Sequence, residues 1–165
     1  MSFQVEVGDR LFDRYVVLEV LMDTDLERVV RCSDTVLPRE VLLESTGDAL
    51  EAIPTADGMS RAMREARLLV GLSGSGIPKV LDVLKGSSGP ILVMESYAGE
   101  SLASRLQRTG PLSAAEVRSL LLDLCRTLAM VHASKVTHRN VSSSHVVLGS
   151  DGRAMLRGFR FAKLT

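Results

Sequence analysis

Three histidines and a run of serines are the first groups in this chain whose types and spacing suggest chemistry. His132, His138 and His145 lie within fourteen residues, and Ser142-Ser143-Ser144 runs directly into the last of them. Clustered imidazoles suggest a metal site, and a serine beside a histidine suggests a nucleophile with its base. The spacing supports neither. It gives no helical i, i+4 histidine pair and no zinc-finger pattern, and no carboxylate is identifiable to orient an imidazole. Loop polarity is the better account of the serines. A second group is acidic: Asp23, Asp25 and Glu27, then Glu44 and Glu65, with Arg28 nearby. The stretch from Asp23 to Glu27 reads first as a solvated turn and second as a site for a basic partner. Cys32 and Cys125 are isolated, which excludes a disulfide framework and a Cys-rich zinc site. Cys125 falls on the apolar side of a helical pattern and reads as core. Asp151, within Ser150-Asp151-Gly152, reads as a turn residue rather than a ligand. No metal is expected.

The elements that must position these groups change character midway. Tyr15 to Val20, Arg28 to Cys32, Arg39 to Ser45, Val80 to Leu84 and Ile91 to Glu95 are strand-like, the last two separated by the turn Lys85-Gly86-Ser87-Ser88-Gly89-Pro90. A Gly/Asp/Ala/Pro-rich connector from Thr46 to Gly58 precedes a helical pattern from Ser60 to Leu72, with Met63, Ala66, Leu69 and Val70 on one face. After Gly99 the period is helical: a short helix over about Ser101 to Gln107, then Ser113-Ala114-Ala115-Glu116 as a capping box. Behind the box, Val117, Leu120, Leu121, Leu124, Leu128 and Val131 repeat at helical spacing to about His132. Val146 to Leu148 and Ala154 to Leu156 form a closing hairpin.

The 165 residues suit one domain or two small lobes. Twenty basic residues balance twenty acidic ones, which argues against a coat for nucleic acid or an anionic membrane. Hydrophobic content of 45% is too high for a disordered tail, and no apolar run approaches the roughly 18 residues that span a bilayer. The start, Met1-Ser2-Phe3-Gln4-Val5-Glu6, is not a secretory signal. A cytoplasmic protein that binds no nucleic acid or membrane is expected.

Five strands with one helix after the third, then a linker and a helical lobe with a small hairpin: this order resembles a protein kinase. Val7-Gly8-Asp9-Arg10-Leu11 with Asp13-Arg14-Tyr15 looks like the lead-in of the bacterial eukaryotic-like serine/threonine kinases, and 16 Arg to 4 Lys hints at a GC-rich bacterial genome. Arg39-Glu40-Val41-Leu42-Leu43-Glu44 sits where that family has V-A-I-K. Arg64-Glu65-Ala66-Arg67-Leu68-Leu69 looks like helix C, and Leu92-Val93-Met94-Glu95-Ser96-Tyr97 like the fifth strand and hinge, with Met94 as gatekeeper. His138-Arg139-Asn140 opens the segment matching H-R-D-L-x-x-x-N. The resemblance runs from about Gly8 to Lys163. It implies an α+β kinase-like fold: a five-stranded N-lobe over 8–95 with helix C, a hinge over 96–100, and a partial C-lobe over 101–165.

The same alignment removes the chemistry. Phosphoryl transfer needs a glycine-rich loop, a lysine on the phosphates, a base and magnesium ligands. The loop glycines fall at Met22, Thr24 and Glu27, and the lysine at Glu44. The catalytic aspartate is Asn140, the lysine after it Ser142, and the magnesium-binding asparagine His145. D-F-G becomes Gly158-Phe159-Arg160. Only Glu65 of helix C remains. Leu42 would intrude on an adenine, and an ATP polyphosphate would meet carboxylates. Glu44 and Glu65 in the family's usual geometry would repel by about 4 kcal/mol at 4 Å and an effective dielectric of 20. They are therefore expected to splay apart or share Arg160. Leu69, Val80, His138 and Phe159 match the family's apolar spine.

By resemblance a kinase continues past D-F-G, whereas Thr165 follows it closely. The expectation is a C-terminally truncated domain whose long helix, through Leu120, Leu121, Leu124 and Leu128, exposes an apolar surface to a second copy or a protein partner. An active kinase is one such partner, and the serines could accept its phosphate. The function implied is a pseudokinase: a catalytically inactive interaction or regulatory module in bacterial signalling, without cofactor. The alternative is a nucleotide-dependent transferase using Glu44, Glu65 or His145 as replacement metal ligands.

Overall fold

The computed structural model describes residues 5–24, 27–46, 67–72, 74, 76–86 and 89–164, with the side chains of Thr46, Gly89, Pro90 and Arg160 outside the description. Contacts divide the chain into two units: Met1–Ala66 with Val80–Ser96, and Arg67–Lys79 with Tyr97–Thr165.

The first unit is one antiparallel sheet. Its strands are β1 (Arg10–Leu11), β2 (Tyr15–Asp23), β3 (Glu27–Asp34), β4 (Arg39–Thr46), β5 (Val80–Gly86) and β6 (Gly89–Glu95), in the order β1-β2-β3-β4-β6-β5. The five expected strands are all present, longer than their apolar runs, and the two-residue β1 adds a sixth. So short a strand carries no period to be read. On one face Tyr15, Val17, Val30, Cys32, Val41, Leu43 and Val93 form a core with Val5 and Leu11. Burial pushes the Cys32 thiol up to about 12. The turn from β3 to β4 is built on Asp34, which accepts from Arg14 Nε at 2.8 Å and Nη2 at 2.7 Å and from the backbone N–H of Val36 and Leu37. The Arg14 guanidinium first, then those N–H groups, hold its carboxyl well below the usual carboxylate range.

The second unit is led by α1 (Leu102–Thr109) and α2 (Ala114–Ala133). Ser101 caps α1 by accepting from the Ser104 N–H. The expected capping box on α2 is formed: the Ser113 N–H donates to Glu116 Oε2 at 2.7 Å, and the Glu116 N–H to Ser113 Oγ at 3.3 Å. Strands β7 (Gly99–Ser101), β9 (Val146–Gly149) and β10 (Ala154–Leu156) make one small sheet in the order β10-β9-β7. Strands β8 (Val136–Thr137) and β11 (Lys163–Leu164) make another. A 3-10 turn spans Phe159–Phe161.

Of the helix expected over Ser60 to Leu72, only the helical residues 67–71 fall among the described ones. The segment that follows belongs to the second unit rather than to the first lobe. The Leu156 N–H donates to the Gly76 carbonyl at 2.8 Å. A Cβ on Gly76, whose φ is +97°, would stand 2.1 Å from Thr127 Oγ1 of α2. Only a glycine allows this approach.

Two expectations about α2 are corrected. Leu120 is buried, and Leu124 and Leu128 are half-buried, because their side of the helix packs inward; the exposed apolar residues are Val117, Leu121 and Leu122. Cys125 is exposed rather than core, one turn beyond Leu121 and Leu122 on the outer side.

Candidate functional site

Each unit carries part of the kinase signature. In the first, the position of the glycine-rich loop is a closed turn between β2 and β3. The Thr24 N–H and hydroxyl both donate to the Glu27 carbonyl, each at 2.9 Å, and the Glu27 N–H donates to Thr24 Oγ1 at 3.0 Å. These N–H groups are spent inside the turn. Arg28 is spent as well, on Asp23, through Nε at 2.8 Å and Nη2 at 2.5 Å. Asp23 and Thr24 are exposed, as a solvated turn requires, but Glu27 is buried, which corrects that expectation at its last residue; Asp25 lies outside the described residues. Met22 lies opposite Val29 in the β2–β3 ladder.

The other face of the sheet is set by register. Leu42 stands opposite Met94, and Glu44 is flanked by Val29 and Leu92 on the neighbouring strands. All five are at most 2% exposed. A carboxylate thus replaces the lysine on an otherwise aliphatic face, with a leucine where the family keeps alanine. At the hinge, Glu95 is exposed and Ser96 and Tyr97 are half-buried. Glu65 and the Arg160 side chain lie outside the described residues, and with them the expected Glu44–Glu65–Arg160 bridge.

In the second unit the catalytic-loop segment is a hydrogen-bonded knot. His138 is 1% exposed; its Nε2–H donates to the Arg157 carbonyl at 3.0 Å, and its Nδ1 accepts from the Asn140 N–H at 3.1 Å. Burial pushes its pKa down to about 4, against the opposing effect of the Arg157 bond. Its ring meets Phe159 edge to face, centroids 4.4 Å apart, which joins two of the expected spine residues. Leu69 is buried in the same unit, while Val80 is half-buried at the start of β5 in the other.

The Asn140 peptide is held from its other side too. Its carbonyl lies 3.0 Å from His145 Nδ1, which is also 2.9 Å from Ser142 Oγ. A carbonyl only accepts, so Nδ1 carries the hydrogen and does not take a proton from Ser142. The serine–histidine pair is therefore not a nucleophile with its base. The Asn140 carboxamide, half-buried, has no basic oxygen for a substrate hydroxyl.

Arg157, which sequence reasoning did not single out, ties the knot. Its N–H donates to the His145 carbonyl at 2.9 Å, and its Nη2 to the Ser144 carbonyl at 3.2 Å. No motif marks such a residue, since both of these partners are backbone groups. Next to it, Gly158 adopts φ +79°. A Cβ built there would lie 2.5 Å from His145 Cδ2. Magnesium takes hard oxygen ligands in octahedral array. Here its two side-chain positions are an imidazole and a bare Cα in contact with it, so these residues do not fit a magnesium–nucleotide complex.

A family model described as Protein kinase domain matches residues 49–165. The chain is 27% identical over 155 residues to the probable serine/threonine-protein kinase PknB of Corynebacterium glutamicum, covering 92% of this chain and 24% of that protein. It is 28% identical over 162 residues to the serine/threonine-protein kinase PknA of Mycobacterium tuberculosis, covering 95% and 37%. The chain thus spans between a quarter and two-fifths of the length of these relatives. A solved structure described as "PpkA-294 apo form" superposes with a TM-score of 0.80 at 20% identity, covering 96% of this chain and 62% of that one, a likeness of fold. Motif order, fold and family match agree: the chain belongs to the protein kinase domain family.

Proposed function

We propose that this kinase-like domain is catalytically inactive and works as a protein-interaction or regulatory module in bacterial cytoplasmic signalling. The observation that carries the reading is the imidazole of His145 against the bare Cα of Gly158, at the two positions that would hold magnesium. Three further features support it: a carboxamide at Asn140, a buried carboxylate at Glu44, and a β2–β3 turn whose Thr24 and Glu27 N–H groups are engaged internally. Each removes a part that phosphoryl transfer relies on.

The test is a thermal-shift titration with ATP, alone and with Mg²⁺ or Mn²⁺. No shift is expected. A rise of several degrees would overturn the reading, because a ligand that binds the native state must stabilise it.

For the interaction role, the surface offered is the outer side of α2. Leu112, Ala114, Val117, Arg118, Leu121, Leu122 and Cys125 line a mainly apolar groove of about 650 Å³. Leu121 and Leu122 are 54% and 46% exposed. Exposed apolar area of this kind marks a contact surface for a second copy or a protein partner.

A further inference from the structure

We infer that His145 and Gly158 are a coupled pair, in which the imidazole fills the space of a side chain at 158 and holds the Gly158–Phe161 segment on the 140–145 loop without a metal. The inference deepens the inactive reading, on which it rests for its functional meaning.

Gly158 sits at φ +79° and ψ +45°, a conformation that favours glycine. Strain is only half of the constraint. An added Cβ would stand 2.5 Å from Cδ2, 2.8 Å from Cγ and 2.9 Å from Nε2 of His145, closer than carbon atoms tolerate. The ring is poorly placed to yield. Its Nδ1 is fixed by the Asn140 carbonyl at 3.0 Å and by Ser142 Oγ at 2.9 Å, and the residue is 8% exposed. Its backbone is pinned as well: the N–H donates to the Ser142 carbonyl, and the carbonyl accepts from Arg157.

The stretch 157–159 is thus gripped by two imidazoles. His138 takes the Arg157 carbonyl and the edge of Phe159, and His145 rests on the Gly158 Cα. A side chain at 158 and the imidazole at 145 exclude each other, so restoring the family's carboxylate at 158 alone meets the ring. His145 is a positioning residue.

The test is a double-mutant cycle by chemical unfolding, without nucleotide or metal, on the wild-type chain, Gly158→Ala, His145→Ala and the double variant. Gly158→Ala is expected to lower the unfolding midpoint sharply. In the His145→Ala background most of that loss should disappear, leaving only the cost of the left-handed backbone. Equal losses in both backgrounds would overturn the coupling. Should Gly158→Ala fail to fold alone, recovery of a folded double variant is the same rescue, and a double variant that also fails to fold counts against it. A second measurement needs no variant. Imidazole nitrogen spectra of the wild-type chain should place the His145 proton on Nδ1, with a nuclear Overhauser contact between its Hδ2 and a Gly158 Hα. A proton on Nε2 alone, or loss of that contact, would overturn the proposal. Because no nucleotide is present, these outcomes are independent of whether ATP binds.

Discussion

The His138 ring donates through Nε2 and accepts through Nδ1, so both of its bonds are satisfied only while it is neutral. Its pKa lies near 4 in the folded chain against an ordinary 6.5, so the unfolded chain binds the proton first as pH falls. Stability from this group is complete above about pH 6.5 and is lost progressively toward pH 4. A gap of that size corresponds to roughly 3 kcal/mol across the window. Urea midpoints measured from pH 7.5 to 4 should fall accordingly, and His138→Phe should flatten the slope. Asp34, whose carboxyl is held low, adds stability that disappears only at still lower pH, so the two contributions separate. At Gly158, restoring the family's carboxylate alone by Gly158→Asp should destabilise the chain and leave its melting temperature indifferent to Mg²⁺. A magnesium-dependent rise would contradict the account of the knot. The replaced groups at 44, 140 and 158 were legible from residue identity, whereas the clamps on Asn140 were not. Those clamps join backbone atoms to rings, and no residue type announces them.

Among the elements, α2 begins where Ser113 and Glu116 cap each other, and this was readable because a capping box is a local pattern. Ser113→Ala should cost about 1 kcal/mol, seen as a lower melting temperature with the fold retained. Gly76 is a different case. Its φ of +97° and its approach to Thr127 depend on how the backbone at Gly74 and Gly76 meets α2. Gly76→Ala should therefore cost roughly 1–3 kcal/mol by the same measurement. The strands with long apolar or alternating runs were legible, as was the β9–β10 hairpin from its turn, whereas β7 and the two-residue strands were not. β1, β8 and β11 exist because a neighbouring strand offers a ladder, which is a tertiary condition. Glu27 was misread as solvated for a related reason. Its charge suggests exposure, yet the closed turn with Thr24 folds it inward.

At the scale of the molecule, the outer side of α2 is the largest question for function. If Val117, Leu121 and Leu122 form a contact surface, association at micromolar concentration should be visible by light scattering with the chain alone or with its partner. Leu121→Glu should abolish that association without lowering stability, because Leu121 already faces solvent. The sequence by itself determined the family, the order of the longer elements and the residue type at each position of the family's motifs. Those properties reside in residue types and their linear spacing. Only the tertiary structure decided which leucines of α2 face outward, that the Thr24 and Glu27 N–H groups are consumed within their own turn, and that His145 stands against Gly158. Each is a distance between atoms separated along the chain, and such distances are fixed by packing.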